Sequence, residues 1–165
     1  MMTRDEFIET FGGVFEHSPW IAERAFDQGH IAEPLRAGPV HAALCTEFRG
    51  ATLDERLAVL LAHPDLAGKL AIDGGLTEHS KSEQAGAGLD RLSEEEHARF
   101  TDLNTHYVRE FGFPFIIAVK GLTKDDILAA FETRIGHDRE TEFETASAEV
   151  EKIAGFRIAA ILGET

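Results

Sequence analysis

The stretch TLDERLAVLLAHP (residues 52–64) has the features of one complete α-helix. Thr52 and Glu55 are spaced as a capping box, in which each side chain accepts a hydrogen bond from the other residue's backbone N–H. Apolar residues then recur at intervals of three and four, the spacing of one helix face: Leu53, Leu57, Leu60 and Leu61. Pro64 disfavours helical backbone at the residue before it, so we predict that this helix ends at about His63.

Similar start and repeat signals predict helices along most of the chain. Four further pairs have the capping-box spacing: Thr3 with Glu6, Ser80 with Glu83, Ser93 with Glu96, and Thr123 with Asp126. Ser18 and Pro19 predict another start, with proline at the favoured first helical position. Apolar repeats indicate two more helices: Ile127, Leu128, Phe131 and Ile135 before Gly136, and Val150, Ile153, Ile158 and Ile161. Residues 28–40 and 71–80 are predicted to be loops from their turn-forming residues.

The stretch FGFPFIIAVKG (residues 111–121) does not fit a helix, because it is β-branched and is interrupted by Gly112 and Pro114. It is also strongly apolar, but a lone strand cannot form a stable sheet. We therefore interpret it as an extended segment buried between helices. The prediction is an all-α fold, a single-domain helical bundle with one buried extended segment at about residues 111–121.

The composition limits the classes of function. The 165 residues suffice for one core, and no repeat or linker divides them, so we predict a single domain over residues 1–165. A formal charge of −14 repels nucleic acid and anionic membranes, and neither is expected as a partner. The apolar runs are too short to cross a bilayer, and MMTRDEF does not begin a signal peptide. The single cysteine, Cys45, fits a reducing compartment, and because no targeting signal is visible we expect a cytoplasmic protein.

His63 is the first candidate for chemistry, because a histidine can donate or accept a proton near neutral pH. Its place before Pro64, at a predicted helix end, would hold the ring in a fixed orientation. The alternative is a histidine that caps the carboxyl end of the helix, where a cation is favoured by the helix dipole.

Two other stretches carry polar groups that suit a binding site. Ser80, Glu83 and Gln84 lie at a predicted helix start, beside backbone N–H groups that favour anions, although Ser80 and Glu83 alone are also a capping box. Arg157 follows an apolar stretch, and a buried arginine needs an anionic partner, either a protein acid or a substrate carboxylate. No H-E-x-x-H motif or pair of histidines at i, i+4 supports a metal site.

Taken together, these stretches resemble the family of 2-oxo-4-hydroxy-4-carboxy-5-ureidoimidazoline (OHCU) decarboxylases of urate degradation. The resemblance extends over residues 11–158 and is carried by FGGVFEHSPWIAERA, HPDLAGK, LTEHSKSEQAGAGLDRLS, FTDLNTHYVREFGFPFIIAVKG and KIAGFRI. It implies an all-α homodimer with no cofactor and no metal, which converts a small anionic ureidoimidazoline substrate to (S)-allantoin. It also implies that His63 is the catalytic acid–base group and that Glu83 assists it, by orienting or neutralising His63 or by binding the ureido N–H groups.

The resemblance assigns the other matched residues to substrate binding: Pro64, Ser80, Gln84, Phe115, Ile117, Ala118, Val119 and Arg157. Within this set, side chains would hold carbonyl and amide edges, the segment from Phe115 to Val119 would contribute backbone groups, and Pro64 would fix the His63 ring. The substrate has a carboxylate on a carbon next to a C=N bond, which can accept the electron pair released with CO₂. Such a substrate needs no separate electron sink.

Two other functions remain open from the residues alone. The same histidine, glutamate and arginine could act on a related ureido or imidazoline compound, as a hydrolase if a water molecule were positioned. Alternatively, an acidic helical domain could bind a protein partner, which would require an exposed apolar patch and no role for His63 or Glu83.

Overall fold

The computed structural model describes residues 1–68 and 75–165. Within these ranges it contains eight α-helices and no strand, so the predicted all-α class is confirmed. The helices are α1 (Arg4–Phe11), α2 (Trp20–Asp27), α3 (Ala37–Gly50), α4 (Leu53–Ala62), α5 (Glu78–Gly86), α6 (Glu94–Phe111), α7 (Lys124–Arg134) and α8 (Arg139–Leu162). None of the described helices is long and apolar enough to cross a membrane.

Side-chain caps form at four of the five residues predicted to begin a helix with a capping box. Reciprocal capping boxes are formed at Thr3, Thr52, Ser93 and Thr123. The predicted box of Ser80 with Glu83 is wrong, because the N-cap of α5 is Thr77, whose hydroxyl accepts a 3.2 Å hydrogen bond from the Ser80 backbone N–H. Ser80 therefore lies inside the first turn of α5.

Three predicted boundaries need correction. The loop predicted over residues 28–40 ends earlier, since α3 begins at Ala37; Pro39 fits its first turn, where the backbone N–H has no partner within the helix. Pro19 is the N-cap of α2 and precedes its first residue. The loop predicted over residues 71–80 is helical from Glu78, and its first part, residues 71–74, lies outside the described ranges.

Helix α4 ends at Ala62, which confirms the predicted end beside His63. Its buried side differs from the predicted leucine face, because Val59 and Leu60 are the fully buried residues. Leu53 and Leu61 are 71% and 54% exposed. The repeat located the helix correctly, but its leucines are divided between the core and the surface.

The chain forms two compact units, one of residues 1–62 and 150–165 and the other of residues 63–149. Aromatic pairs in the first unit include Phe7 with Phe11, whose ring centroids are 4.8 Å apart, and Phe15 with Phe48, at 5.4 Å. In the second unit, the buried Tyr107 ring lies 4.5 to 5.9 Å from its aromatic neighbours: Phe111, Phe113, Phe115 and Phe131.

The predicted buried segment is present in the second unit, with narrower bounds. Phe111 is the last residue of α6, and Gly112 ends that helix with a left-handed φ of 79°. Residues 113–119 are all buried and form neither helix nor strand, whereas Lys120 and Gly121 are exposed. Residues 113–119 are hereafter called the buried segment.

Candidate active site

His63 begins a tight loop, residues 63–68, which we call the His63 loop. Its first residue is only 8% exposed. The Gly68 N–H donates to the Asp65 carbonyl at 3.4 Å. Ala67 has a positive φ of 52°, which residues other than glycine rarely adopt. Burial raises the pKa of the Asp65 carboxyl above its usual range. The loop is therefore a compact turn with a specific backbone conformation.

Gly68 is required by this turn, so Gly68→Ala should perturb the loop. A β-carbon added at Gly68 would lie 2.7 Å from the Asp65 β-carbon, well inside van der Waals contact. We expect a loss of about 1–3 kcal/mol in the free energy of unfolding, as for other overpacked sites, together with lower turnover. Urea unfolding and a turnover assay would measure both effects.

Gly86→Ala is the matched control for Gly68→Ala. Gly86 is the last residue of α5, and a β-carbon there would meet no atom within 4 Å. For this control we expect wild-type turnover and a free energy of unfolding that is equal to the wild-type value or up to about 1 kcal/mol higher, because alanine favours a helix more than glycine does. Equal behaviour of the two variants would contradict the tight-turn interpretation.

Helix α5 carries the three predicted polar residues, and one of them, Gln84, contacts the His63 loop. Ser80 and Gln84 are each 5% exposed, and Glu83 is half-buried. The Gln84 amide joins the helix to the loop, since its Oε1 accepts a 2.9 Å hydrogen bond from the Ala67 N–H. Its Nε2 also lies 3.5 Å from the Asp65 carbonyl oxygen, as a weaker donor. The loop that follows His63 and the helix that carries Ser80, Glu83 and Gln84 are therefore directly connected.

The buried segment carries the four predicted apolar site residues. Phe115 is fully buried, and the others are at most 9% exposed: Ile117, Ala118 and Val119. The Ala118 N–H, one of the backbone groups predicted to face substrate, donates to Glu149 Oε1 at 3.4 Å. This long hydrogen bond gives the group a partner within the second unit.

An ionic network that the sequence analysis missed holds the same segment. The Arg134 guanidinium donates from Nη1 to the Ile116 carbonyl at 2.6 Å and from Nη2 to Glu142 Oε2 at 2.9 Å. Glu142 is fully buried and also accepts a 2.7 Å hydrogen bond from the Tyr107 hydroxyl. Burial, together with the Glu142 carboxylate, raises the pKa of Tyr107 well above its usual value, so the hydroxyl remains a donor. The network fixes the backbone at the middle of the buried segment.

Arg157 belongs to the first unit, where it has a protein acid as its partner. Its side chain is 3% exposed and Nη2 lies 2.9 Å from Glu16 Oε1. Nη1 also lies 3.3 Å from the Val14 carbonyl oxygen and 3.4 Å from that of Gly13. Of the two partners considered for this arginine, the structure supplies the protein carboxylate, and the guanidinium is held in one position.

In the described ranges, the structure brings together no group of three or more His, Cys, Asp or Glu residues that could hold a metal ion. The described candidate residues supply a buried histidine, a half-buried glutamate, buried amide and hydroxyl groups and an oriented backbone.

Comparison with known proteins identifies the family. The family model described as OHCU decarboxylase matches residues 1–159. The 2-oxo-4-hydroxy-4-carboxy-5-ureidoimidazoline decarboxylase of Haloferax volcanii is 40% identical over 156 residues, which cover 94% of this chain and 88% of that protein. The uric acid degradation bifunctional protein PucL of Bacillus subtilis is 38% identical over 164 residues, which cover 99% of this chain and 32% of that longer protein. The crystal structure of an (S)-allantoin synthase superposes with a TM-score of 0.76 at 32% identity, over 96% of this chain and 50% of that chain. The chain therefore belongs to the OHCU decarboxylase family of carboxy-lyases.

Proposed function

We propose that this chain converts OHCU to (S)-allantoin with His63 as the acid–base group. The observation that carries the proposal is the pair of contacts from Gln84 to Ala67 and Asp65, which connect the loop that begins with the predicted catalytic histidine to the helix of Ser80 and Glu83. The likeness to a protein named (S)-allantoin synthase supports the product and its handedness.

The reaction requires precise proton placement more than it requires an additional electron sink. The bond between the carboxylate and its ring carbon breaks, CO₂ leaves, and the electron pair enters the adjacent C=N bond of the substrate. A proton must then be delivered to one face of the intermediate to give one enantiomer. His63 is suited to this delivery because it is buried, is followed by Pro64 and begins a tightly folded loop. Burial of the site keeps water from protonating the other face.

The remaining site residues are assigned to orientation and binding. Glu83 orients or neutralises His63, or binds the ureido N–H groups, and Ser80 holds a polar edge of the substrate. The segment from Phe115 to Val119 lines the substrate through its backbone groups, and those of Ile117 and Ala118 provide hydrogen bonds. Arg157 binds a substrate carbonyl or carboxylate, and its salt bridge to Glu16 holds the guanidinium in place. Gln84 acts at the substrate edge, while its contacts to the His63 loop support a positioning role in addition.

Three broader properties complete the proposal. The chain acts as one domain, since a single family model extends over residues 1–159. It acts in the cytoplasm, and it acts as a homodimer. The family resemblance supports the dimer, and the exposed Leu53 and Leu61 side chains on α4 are consistent with it.

The test is a coupled assay followed by circular dichroism. Urate, urate oxidase and hydroxyisourate hydrolase generate OHCU in place, and the protein is then added. A fast rise of the signal of one allantoin enantiomer is expected. Only slow, racemic decay in the presence of folded protein would contradict the proposed function, and product analysis would then test the hydrolase alternative.

A further inference from the structure

We propose that Asn104, on α6, is a positioning residue that holds the His63 loop and thereby fixes the His63 ring for the reaction. The proposal rests on the proposed function of His63. Asn104 lies far from the loop in sequence, but its Nδ2 donates a 2.9 Å hydrogen bond to the Leu66 carbonyl oxygen, in the middle of the loop. Its side chain is only 5% exposed.

Asn104 and Gln84 bind the same stretch of loop backbone from two helices. Gln84 contacts the Ala67 N–H and the Asp65 carbonyl from α5, while Asn104 contacts the Leu66 carbonyl between them from α6. Three consecutive residues are thus held through their backbone. Ala67 keeps its unfavourable positive φ in the same stretch, and a strained backbone persists only where its surroundings hold it. The two amides supply that restraint.

The surroundings of Asn104 indicate that its N–H donor is the useful group. On α6 the neighbouring core positions Phe100, Leu103 and Tyr107 are buried apolar or aromatic residues, so an apolar side chain would suit the packing at position 104. Within the described part of the chain, the Asn104 Oδ1 atom is buried without a hydrogen-bond partner, beside a cavity of about 570 Å³. A buried amide oxygen without a hydrogen-bond partner lowers the free energy of unfolding. The hydrogen bond from Nδ2 to the loop explains why asparagine stands at this position despite that cost.

Asn104→Asp tests the contact with little change of shape. In an assay at alkaline pH, where the introduced carboxyl is ionised despite its burial, it removes the N–H donor and places a carboxylate against the Leu66 carbonyl. We expect kcat to fall by about 10-fold or more, because small misplacement of a catalytic group has effects of this order or larger. KM should change by less than about 3-fold, since substrate binding groups are retained. In protein labelled with ¹⁵N-histidine, the ring signals of His63, assigned by their absence in His63→Asn, should shift, while those of the histidines outside the loop and α6 should not.

Thr105→Ala is the matched control, because Thr105 is exposed on α6 and lines the same cavity without a hydrogen bond to the loop. It should keep wild-type kcat and wild-type His63 signals. If Asn104→Asp fails to fold, Asn104→Ser provides the second test, since its hydroxyl is too short to reach the loop. Unshifted His63 signals in a folded Asn104 variant would overturn the proposal. These His63 signals are recorded without substrate. They therefore test the positioning role of Asn104 even if the wild-type protein fails to convert OHCU. Such a failure would contradict only the proposed function.

Discussion

Asparagine in place of His63 is expected to reduce OHCU conversion to the slow, racemic background while the helices remain folded. Acid–base catalysis by a positioned side chain contributes about 10²–10⁴-fold to a rate, and asparagine cannot transfer the proton. The fold should persist because His63 lies just beyond the last residue of α4, and asparagine is smaller and also polar. The rate of the single-enantiomer signal measures the loss, and far-UV circular dichroism measures the helices.

A second histidine provides the control for His63→Asn. His106 lies on α6 with 47% of its side chain exposed, and its ring is 3.9 Å from Glu110. His106→Asn should retain wild-type turnover and handedness. Wild-type turnover in His63→Asn would contradict the assignment of His63, and equal losses in both variants would indicate a general effect of histidine replacement.

The helical fold was predictable because its signals are local. A capping box joins residues that are three apart, so Thr52 with Glu55 or Ser93 with Glu96 can be recognised without knowing the rest of the molecule. The error at Ser80 has a local cause as well, because Thr77 competes for the same helix start and forms the cap. Which leucines of α4 are buried depends on distant packing, and the repeat could not separate Leu60 from the exposed Leu61.

The sequence indicated which residues are candidates for the site, but it did not indicate their contacts. The resemblance pointed to His63 and Gln84, but the hydrogen bond from the Ala67 N–H to Gln84 depends on a turn with positive φ at an alanine, for which the sequence has no signal. The need of Arg157 for an anionic partner followed from its apolar surroundings. That this partner is Glu16 depends on the folded chain, since the two residues are distant in sequence.

The buried ion pair of Arg134 and Glu142 has the largest predicted effect on stability. Glu142→Gln should lower the free energy of unfolding by about 3–5 kcal/mol, because it leaves the buried Arg134 charge without its carboxylate. The backbone of the buried segment should also be held less firmly, since the same Arg134 guanidinium donates to the Ile116 carbonyl. Urea unfolding followed by circular dichroism measures the change in stability, and the turnover of the folded fraction measures the effect on the segment.

The pair Arg99–Glu132 isolates burial as the cause, because its nitrogen–oxygen distance is also 2.9 Å but its side chains are 51% and 53% exposed. Glu132→Gln should cost at most about 1 kcal/mol, since water screens exposed pairs. Replacing both buried partners, as Arg134→Met with Glu142→Leu, should recover much of the stability lost in Glu142→Gln, because no unpaired charge remains. This double variant should still have reduced turnover, since it lacks the donor to the Ile116 carbonyl. Equal destabilisation by Glu142→Gln and Glu132→Gln would contradict the structural role of the buried network.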